Sequence, residues 1–270
     1  MKNNKMKLLL PGLFMIVITS TEAFGLNLIG HWDFEEGTGV TAIDSSGNAL
    51  TGNIINAVYT VGHVGNYALD FNGTDSFVQV GLSPLLNPDS VGISLWFKPS
   101  TGEYNSQNQG ALLDKGHGYG SNPYFGGYSL QYLAEVAGGN STVIDLYGNG
   151  SDFPRIESGP GYNDDQWHHV VANLGAGEMA LYMDGQLITK TVGLGAIVDN
   201  DSPLFFGRHR TVGRYFDGAI DDIRIYDGAL SEKDVTQLYQ FANPVPLPAA
   251  ILLFVTGLVG LFGTRIIKST

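Results

Sequence analysis

The sequence predicts an all-β fold, an antiparallel β-sandwich, and three observations carry that prediction. Glycine is abundant, 37 of 270 residues, and follows no fixed period. Scattered between short β-branched and aromatic runs, it marks tight turns rather than a collagenous or linker segment. Within the runs, apolar residues alternate with polar ones in the period of a half-buried strand. Turn signals then recur at roughly ten-residue spacing, the rhythm of a sandwich.

The first strand lies within residues 28–34, where Trp32 and Phe34 share a face. Residues 68–71 and 76–80 flank Asn72-Gly73, a strong turn signal. Ile93, Leu95 and Phe97 alternate with Ser94, Trp96 and Lys98, and Tyr128, Leu130 and Tyr132 alternate with Ser129 and Gln131. Residues 143–147 and 167–174 are again β-rich. Residues 178–183 and 186–192 flank Asp184-Gly185, a type I′ hairpin signal. Residues 204–206 and 216–226 complete the set. One helix follows: Ser231 and Asp234 fit a capping box, and Val235, Leu238 and Tyr239 keep helical spacing.

The two ends read differently from this centre. Three lysines, an apolar run over 8–18 and a small-residue zone through Gly25 predict a signal peptide over residues 1–25. At the other end Asn-Pro-Val-Pro-Leu-Pro precedes an apolar run, then Arg265 and Lys268. A helix over 249–267 would span about 28 Å, close to a bilayer core. The basic residues beyond it place that end in the cytoplasm and the domain outside. The expected organisation is therefore a signal peptide, a domain over 26–241, and a tail over 242–270 with a transmembrane helix.

Charge and cysteine content exclude several functions. The chain has no cysteine, which removes disulfides, cysteine zinc sites and thiol catalysis. Residues 26–241 hold nine of the 14 basic and 25 of the 26 acidic residues, a net charge of −16. Such a surface repels phosphate backbones, so nucleic acid is not a partner. Retaining glycosidases need two carboxylates about 5–5.5 Å apart, which on a strand means acids at alternate positions. No such pattern with two glutamates occurs, nor a serine-nucleophile or phosphate-loop motif, so no catalytic residue is expected.

An ordered set of motifs carries a family resemblance. It runs His31-Trp32-Asp33-Phe34-Glu35-Glu36-Gly37, Asp44-Ser45-Ser46-Gly47-Asn48 and Ala68-Leu69-Asp70-Phe71-Asn72-Gly73. Ile93-Ser94-Leu95-Trp96-Phe97-Lys98-Pro99 and Trp167-His168-His169-Val170-Val171-Ala172 follow. The set ends with Leu181-Tyr182-Met183-Asp184-Gly185, Phe205-Phe206-Gly207-Arg208, Gly218-Ala219-Ile220-Asp221-Asp222-Ile223-Arg224-Ile225-Tyr226 and Leu230-Ser231. This order resembles the bacterial LamG-like jelly roll of the concanavalin A-like lectin/glucanase superfamily. The resemblance implies a binding or adhesion module, often directed to glycans, and often with a structural calcium ion. Val245-Pro246-Leu247-Pro248-Ala249-Ala250, with the apolar run and basic end, resembles a PEP-CTERM sorting signal. Leu247 stands where that family's name-giving glutamate would be. The resemblance implies processing by an exosortase-type enzyme in Gram-negative bacteria that make exopolysaccharide.

Candidate sites each have a plainer alternative. By period 2, Asp221 shares an apolar face with Ile223 and Ile225, and a buried acid needs donors or a cation. Asp44 and Asn48 sit in a glycine-containing loop suited to oxygen ligands. One reading is calcium held by Asp44, Asn48 and Asp221. The other is an Asx-turn over 44–48 and an Asp221 satisfied by backbone N–H groups. Adjacent His168 and His169 point to opposite faces, which favours a structural pair over a shared metal. Tyr119, Asn122 and Tyr124 lie in an aromatic, glycine-rich stretch and suit a sugar platform; the alternative is a loop packing its own aromatics.

The expected protein is thus an exported, non-catalytic surface or matrix protein that binds extracellular polysaccharide or a cell-surface glycan. It crosses the inner membrane, is anchored by its tail, and reaches the cell surface or matrix after exosortase-type sorting at Val245, Pro246, Leu247 and Pro248. The alternatives are a matrix component without a specific ligand, and a diverged polysaccharide hydrolase or lyase. The leader makes one prediction: N-terminal sequencing of the mature protein should begin at Leu26 or Phe24, and a sequence starting at Met1 refutes export by cleavage.

Overall fold

The computed structural model describes residues 25–100, 109–116, 126–133, 143–147, 155–175, 177–192, 197, 199–210 and 213–243. Residues 1–24 of the expected signal peptide over 1–25, the stretch with Tyr119, Asn122 and Tyr124, and the tail with Val245, Pro246, Leu247, Pro248 and the expected helix over 249–267 lie outside the described residues. Among the described residues no helix is long and apolar enough to cross a membrane.

The described strands are β1 (Asn27–Trp32), β2 (Thr41–Ala42), β3 (Gly52–Ile55), β4 (Val58–Val61), β5 (Tyr67–Asn72), β6 (Phe77–Val80), β7 (Ser90–Pro99) and β8 (Gln109–Asp114). They continue with β9 (Ser129–Leu133), β10 (Val143–Tyr147), β11 (Arg155–Glu157), β12 (His168–Gly175), β13 (Glu178–Met183), β14 (Gln186–Val192), β15 (Leu204–Phe206) and β16 (Asp217–Asp227). One helix, α1 (Glu232–Ala242), follows. The first sheet has the order β14-β13-β12-β7-β16-β5-β4, with β1 also on β16; the second has β11-β10-β9-β8-β15-β6-β3-β2. Both are antiparallel throughout the described pairings. This is the expected sandwich of two antiparallel sheets, consistent with a jelly roll.

The alternating residues meet between the sheets. Leu69, Phe71, Ile93, Leu95, Phe97, Val170, Leu181 and Ile220 of the first sheet join Val78, Val80, Leu113, Leu130, Leu204 and Phe206 of the second in one buried cluster. Trp32 crosses the layer edge-on to Phe206, with ring centroids 4.8 Å apart. Its indole N–H donates to the Leu50 carbonyl at 2.9 Å, so the buried ring leaves no orphan donor.

Local chemistry sets the turns and the helix. Asp184 and Gly185 both have positive φ, 49° and 77°, as a type I′ hairpin between β13 and β14 requires. Asn72-Gly73 instead joins β5 of the first sheet to β6 of the second. The Asn72 carboxamide oxygen accepts from the backbone N–H groups of Thr74, Asp75 and Ser76, at 2.9, 3.1 and 3.3 Å, and so holds this corner. Helix α1 has the expected capping box between Ser231 and Asp234. Val235 and Leu238 pack with Val171, Ala180, Tyr182, Tyr226 and Leu230 on the outer face of the first sheet.

The face assigned to Asp221 needs correction. Asp222 has φ 46°, and the register of β16 with β7 shifts between Asp221 and Arg224. This bulge breaks the period of two. Ile220, Ile223 and Ile225 stay in the core, while Asp221 pairs in register with Trp96.

Candidate functional site

Two outer faces carry polar and aromatic residues. On the second sheet, Asn53, Gln79, Phe205, Asp114 and Ser129 stand in register across β3, β6, β15, β8 and β9. Phe77 lies two residues before Gln79 and therefore on the same side. Arg208, just past β15, bridges to Tyr215. Its guanidinium carbon lies 4.4 Å from the Phe77 ring centroid, 4.5 Å from Phe205 and 6.0 Å from Tyr215. At such distances the cation is attracted by all three ring faces. Arg208, Phe77, Tyr215 and Gln79 are half-buried and Asn53 is exposed, so the patch has open parts.

Beside this patch lies a buried polar group. Asp114 accepts from the Gly116 backbone N–H at 3.0 Å and from the Ser129 hydroxyl at 3.1 Å. The Gln131 carboxamide donates to that hydroxyl oxygen at 3.2 Å. His209 Nε2 stands 3.5 Å from Asp114 Oδ2. Burial, with Arg214, Arg210 and Arg208 near, pushes the His209 imidazole down to about 4. The contact is therefore no ion pair at neutral pH, although the distance would allow one. The stretch bearing Tyr119, Asn122 and Tyr124 connects β8 to β9, the strands that carry Asp114 and Ser129.

On the first sheet the outer face is aromatic beneath α1. Asp221, Trp96 and His169 lie in register across β16, β7 and β12. Tyr239 of α1 stacks on Trp96, with centroids 5.7 Å apart and 16° between planes, and the His63 ring sits 4.0 Å from Trp96. Asp221 Oδ2 accepts from the backbone N–H groups of His63 and Val64, both at 2.8 Å. Among the described residues its Oδ1 is buried without a hydrogen-bond partner, as are His63 Nε2 and His169 Nδ1. Burial pushes Asp221 up to about 7 despite the two N–H donors that pull it down. Burial also pushes His169 down to about 4, while the Ser94 hydroxyl meets its Nε2 at 2.9 Å. His168, on the other face, is clamped by Asp184 and Asp164, each at 3.0 Å. Burial opposes its charge, but the two carboxylates prevail and raise its pKa.

Asp44 and Asn48 lie in a different polar cluster. Asp44 Oδ1 accepts from the N–H groups of His31 at 3.0 Å and Ser46 at 2.9 Å, and Oδ2 from Leu50 at 2.9 Å. Asn48 Nδ2 donates to the carbonyls of Leu28 at 3.0 Å and Ile29 at 2.9 Å. The loop therefore has the Asx-turn geometry. Among the described residues, no group of three or more His, Asp or Glu gathers as a metal-binding set. Of the three expected ligands, Asp221 alone keeps a buried carboxylate oxygen without a donor.

Two antiparallel sheets packed on one core, with polar and aromatic groups on their outer faces, define a β-sandwich of the lectin-like class. The family model Laminin_G_3, described as the concanavalin A-like lectin/glucanases superfamily, matches residues 72–236, and the chain belongs to that family. Domain 4 of AbnA, an extracellular arabinanase from Geobacillus stearothermophilus solved with arabinotriose, superposes with TM-score 0.60 and 22% identity. The match covers 80% of this chain and 99% of that one. The binding domain of Paraclostridial Mosquitocidal Protein 1 gives TM-score 0.59 at 18% identity, over 79% of this chain and 52% of that one. The binding domain of botulinum neurotoxin DC with SialylT gives 0.58 at 16%, over 80% and 52%. Among curated sequences, adhesion G-protein coupled receptor V1 of Danio rerio is 24% identical over 190 residues, 66% of this chain but 3% of the receptor. The chain thus spans a small fraction of that relative. These structural relatives are mostly binding domains, with one domain from an arabinanase.

The buried histidines predict a pH effect with a defined sign. His169 and His209 have folded pKa values near 4, below the unfolded value of about 6.5. As pH falls below about 6.5, the unfolded chain takes up protons that the folded chain refuses, and stability drops. At pH 5 each should cost about 2 kcal/mol. His168 and Asp221, both raised, change stability in the opposite direction. The readout is therefore the difference between wild type and His169→Gln or His209→Gln. In urea unfolding at pH 7.5 and 5.0, that difference should shrink or reverse toward pH 5; an equal difference at both values would show that these imidazoles are not held neutral.

Proposed function

We propose that the protein is an exported, non-catalytic surface or matrix protein that binds polysaccharide or a cell-surface glycan through the outer face of its second sheet. The observation that carries this reading is the Arg208 guanidinium among Phe77, Phe205 and Tyr215, beside the open polar side chains of Gln79 and Asn53. Aromatic faces and fixed polar groups are the two components of a sugar site. Tyr119, Asn122 and Tyr124 remain candidate sugar contacts on the sequence alone. The relatives solved with arabinotriose and with SialylT support carbohydrate as the ligand class, and the adhesion receptor supports a surface role. Sorting by an exosortase-type enzyme and anchoring by the apolar tail rest on the sequence over 245–268.

A glycan array with the purified chain tests the site. Arg208→Ala and Tyr215→Ala should each weaken the bound glycan about tenfold or more, the effect of losing a stacking or charge-assisted contact. Wild-type binding by both variants would move the site elsewhere. No binding at all would leave a matrix component without a specific ligand, and release of reducing ends from polysaccharide would make the protein a hydrolase or lyase.

A structural calcium ion is a separate proposal, supported by the unpartnered Asp221 Oδ1. An ion that binds only the folded state stabilises it by mass action. Chelation should therefore lower Tm, and Asp221→Asn should remove that dependence. An unchanged Tm, with no calcium in the purified protein, leaves Asp221 as a carboxyl held by backbone amides alone.

A further inference from the structure

A pocket of about 290 Å³ opens on the outer face of the first sheet, two residues along β7 from Trp96. Asp70, Ala219 and Lys98 form its floor, in register across β5, β16 and β7. Gly218 and Ala219 have almost no side chain, which leaves the space open. Trp167 stands at one wall and Thr60 of the edge strand β4 at the other. Lys98 Nζ reaches Asp165 at 3.2 Å.

Several polar groups here are unused. The Asp70 carboxylate, the Trp167 indole N–H and the Thr60 hydroxyl make no hydrogen bond among the described residues, and none of their atoms is a sealed orphan. Burial and the neighbouring Asp217 push the Asp70 carboxyl up, with Lys98 opposing. The pocket thus pairs a partly exposed indole with an acceptor, two donors and an ammonium, all turned to one space. A pyranose ring needs this combination: its C–H face lies on an aromatic ring and its hydroxyls both donate and accept.

We propose that this pocket binds a single sugar ring, stacked on Trp167 and hydrogen-bonded by Asp70 and Lys98. It would be a second glycan site, on the sheet face opposite the Arg208 patch. The proposal rests on the reading of the domain as a glycan binder. With the whole core between them, the two sites would engage different polysaccharide segments. The domain would then link strands of a matrix, gaining avidity from two weak contacts.

Tryptophan fluorescence reports on this pocket selectively. The chain has three tryptophans; Trp32 and Trp96 are 0% and 2% exposed, while Trp167 is partly open. Acrylamide quenching of the full chain is measured with glucose, galactose, mannose or N-acetylglucosamine at about 50 mM, suited to millimolar binding. At least one sugar should protect the quenchable fraction, and Asp70→Asn should raise the half-protecting concentration about tenfold. Trp167→Phe should abolish the quenchable fraction itself, which identifies the reporter; if that variant does not fold, Asp70→Asn still decides. Tyr215→Ala should leave the protection unchanged. Absence of protection by all four sugars, or unchanged protection in Asp70→Asn, overturns the pocket. Array binding lost in Tyr215→Ala without any protection of Trp167 leaves the first site standing and removes the second. Protection of Trp167 with array binding unaffected by Tyr215→Ala does the reverse.

Discussion

The fold depends on the bulge in β16. This strand pairs with β5 and β7 over its first half and with β1 and β7 over its second. The residue between those halves, Asp222, is left-handed, a conformation that costs on the order of 1–3 kcal/mol for a residue with a side chain. Its carboxylate offsets that strain. Oδ1 meets His31 Nε2 at 2.7 Å and the Arg224 guanidinium at 3.0 and 3.1 Å. Burial alone would raise its pKa, but these two partners hold it below the ordinary range. The strained backbone and the buried charge are thus solved by one contact, and that contact fixes how β1 registers on β16. Arg224 also lies 5.6 Å from the Phe241 ring, so the end of α1 is tied to the same point.

The bulge also decides which chemistry faces outward. Continuous alternation back from Ile223 and Ile225 would turn Asp221 into a core of isoleucines and phenylalanines and Ile220 out of it. With the bulge, Asp221 turns to the 63–64 amides and stands in the row with Trp96 and His169. The first sheet is therefore divided along its outer face: an aromatic, helix-covered part around Trp96, and an open polar part around Asp70 and Lys98. The second sheet keeps its own polar face at Asn53, Gln79 and Arg208. A single core thus supports two chemically distinct exteriors.

The sandwich was largely legible in the sequence, because alternation and turn residues report directly on a half-buried strand. The type I′ turn at Asp184-Gly185 and the capping box at Ser231 are local devices, and both stand as expected. Asn72-Gly73 shows the limit: the dipeptide marks a turn but not whether the chain stays in the same sheet. Asp221 was misplaced because the period-2 argument assumes continuous pleating, and a left-handed Asp222 leaves no distinctive signature. The Arg208 patch was missed for another reason. Phe77, Phe205, Arg208 and Tyr215 come from β6, β15 and the segment beyond it, and only the sheet order brings them together. The alternation of Phe77 and Gln79 was the sole local hint. Asp44 and Asn48 were readable as a loop with two equally plain uses, and sequence alone does not choose between them.

The order of strands bears on when the chain can fold. In the first sheet β16 lies between β5 and β7, and β1 pairs with it from Asn27↔Asp227 to Trp32↔Ile223. Of the described strands, β16 is the last one synthesised. Until it emerges, β5 and β7 have no common neighbour and β1 has no partner in its sheet. Contacts that close so long a loop form slowly and late. The first sheet of a nascent chain therefore stays split in two, β4 with β5 on one side and β7 with β12, β13 and β14 on the other, until almost the whole domain has left the ribosome.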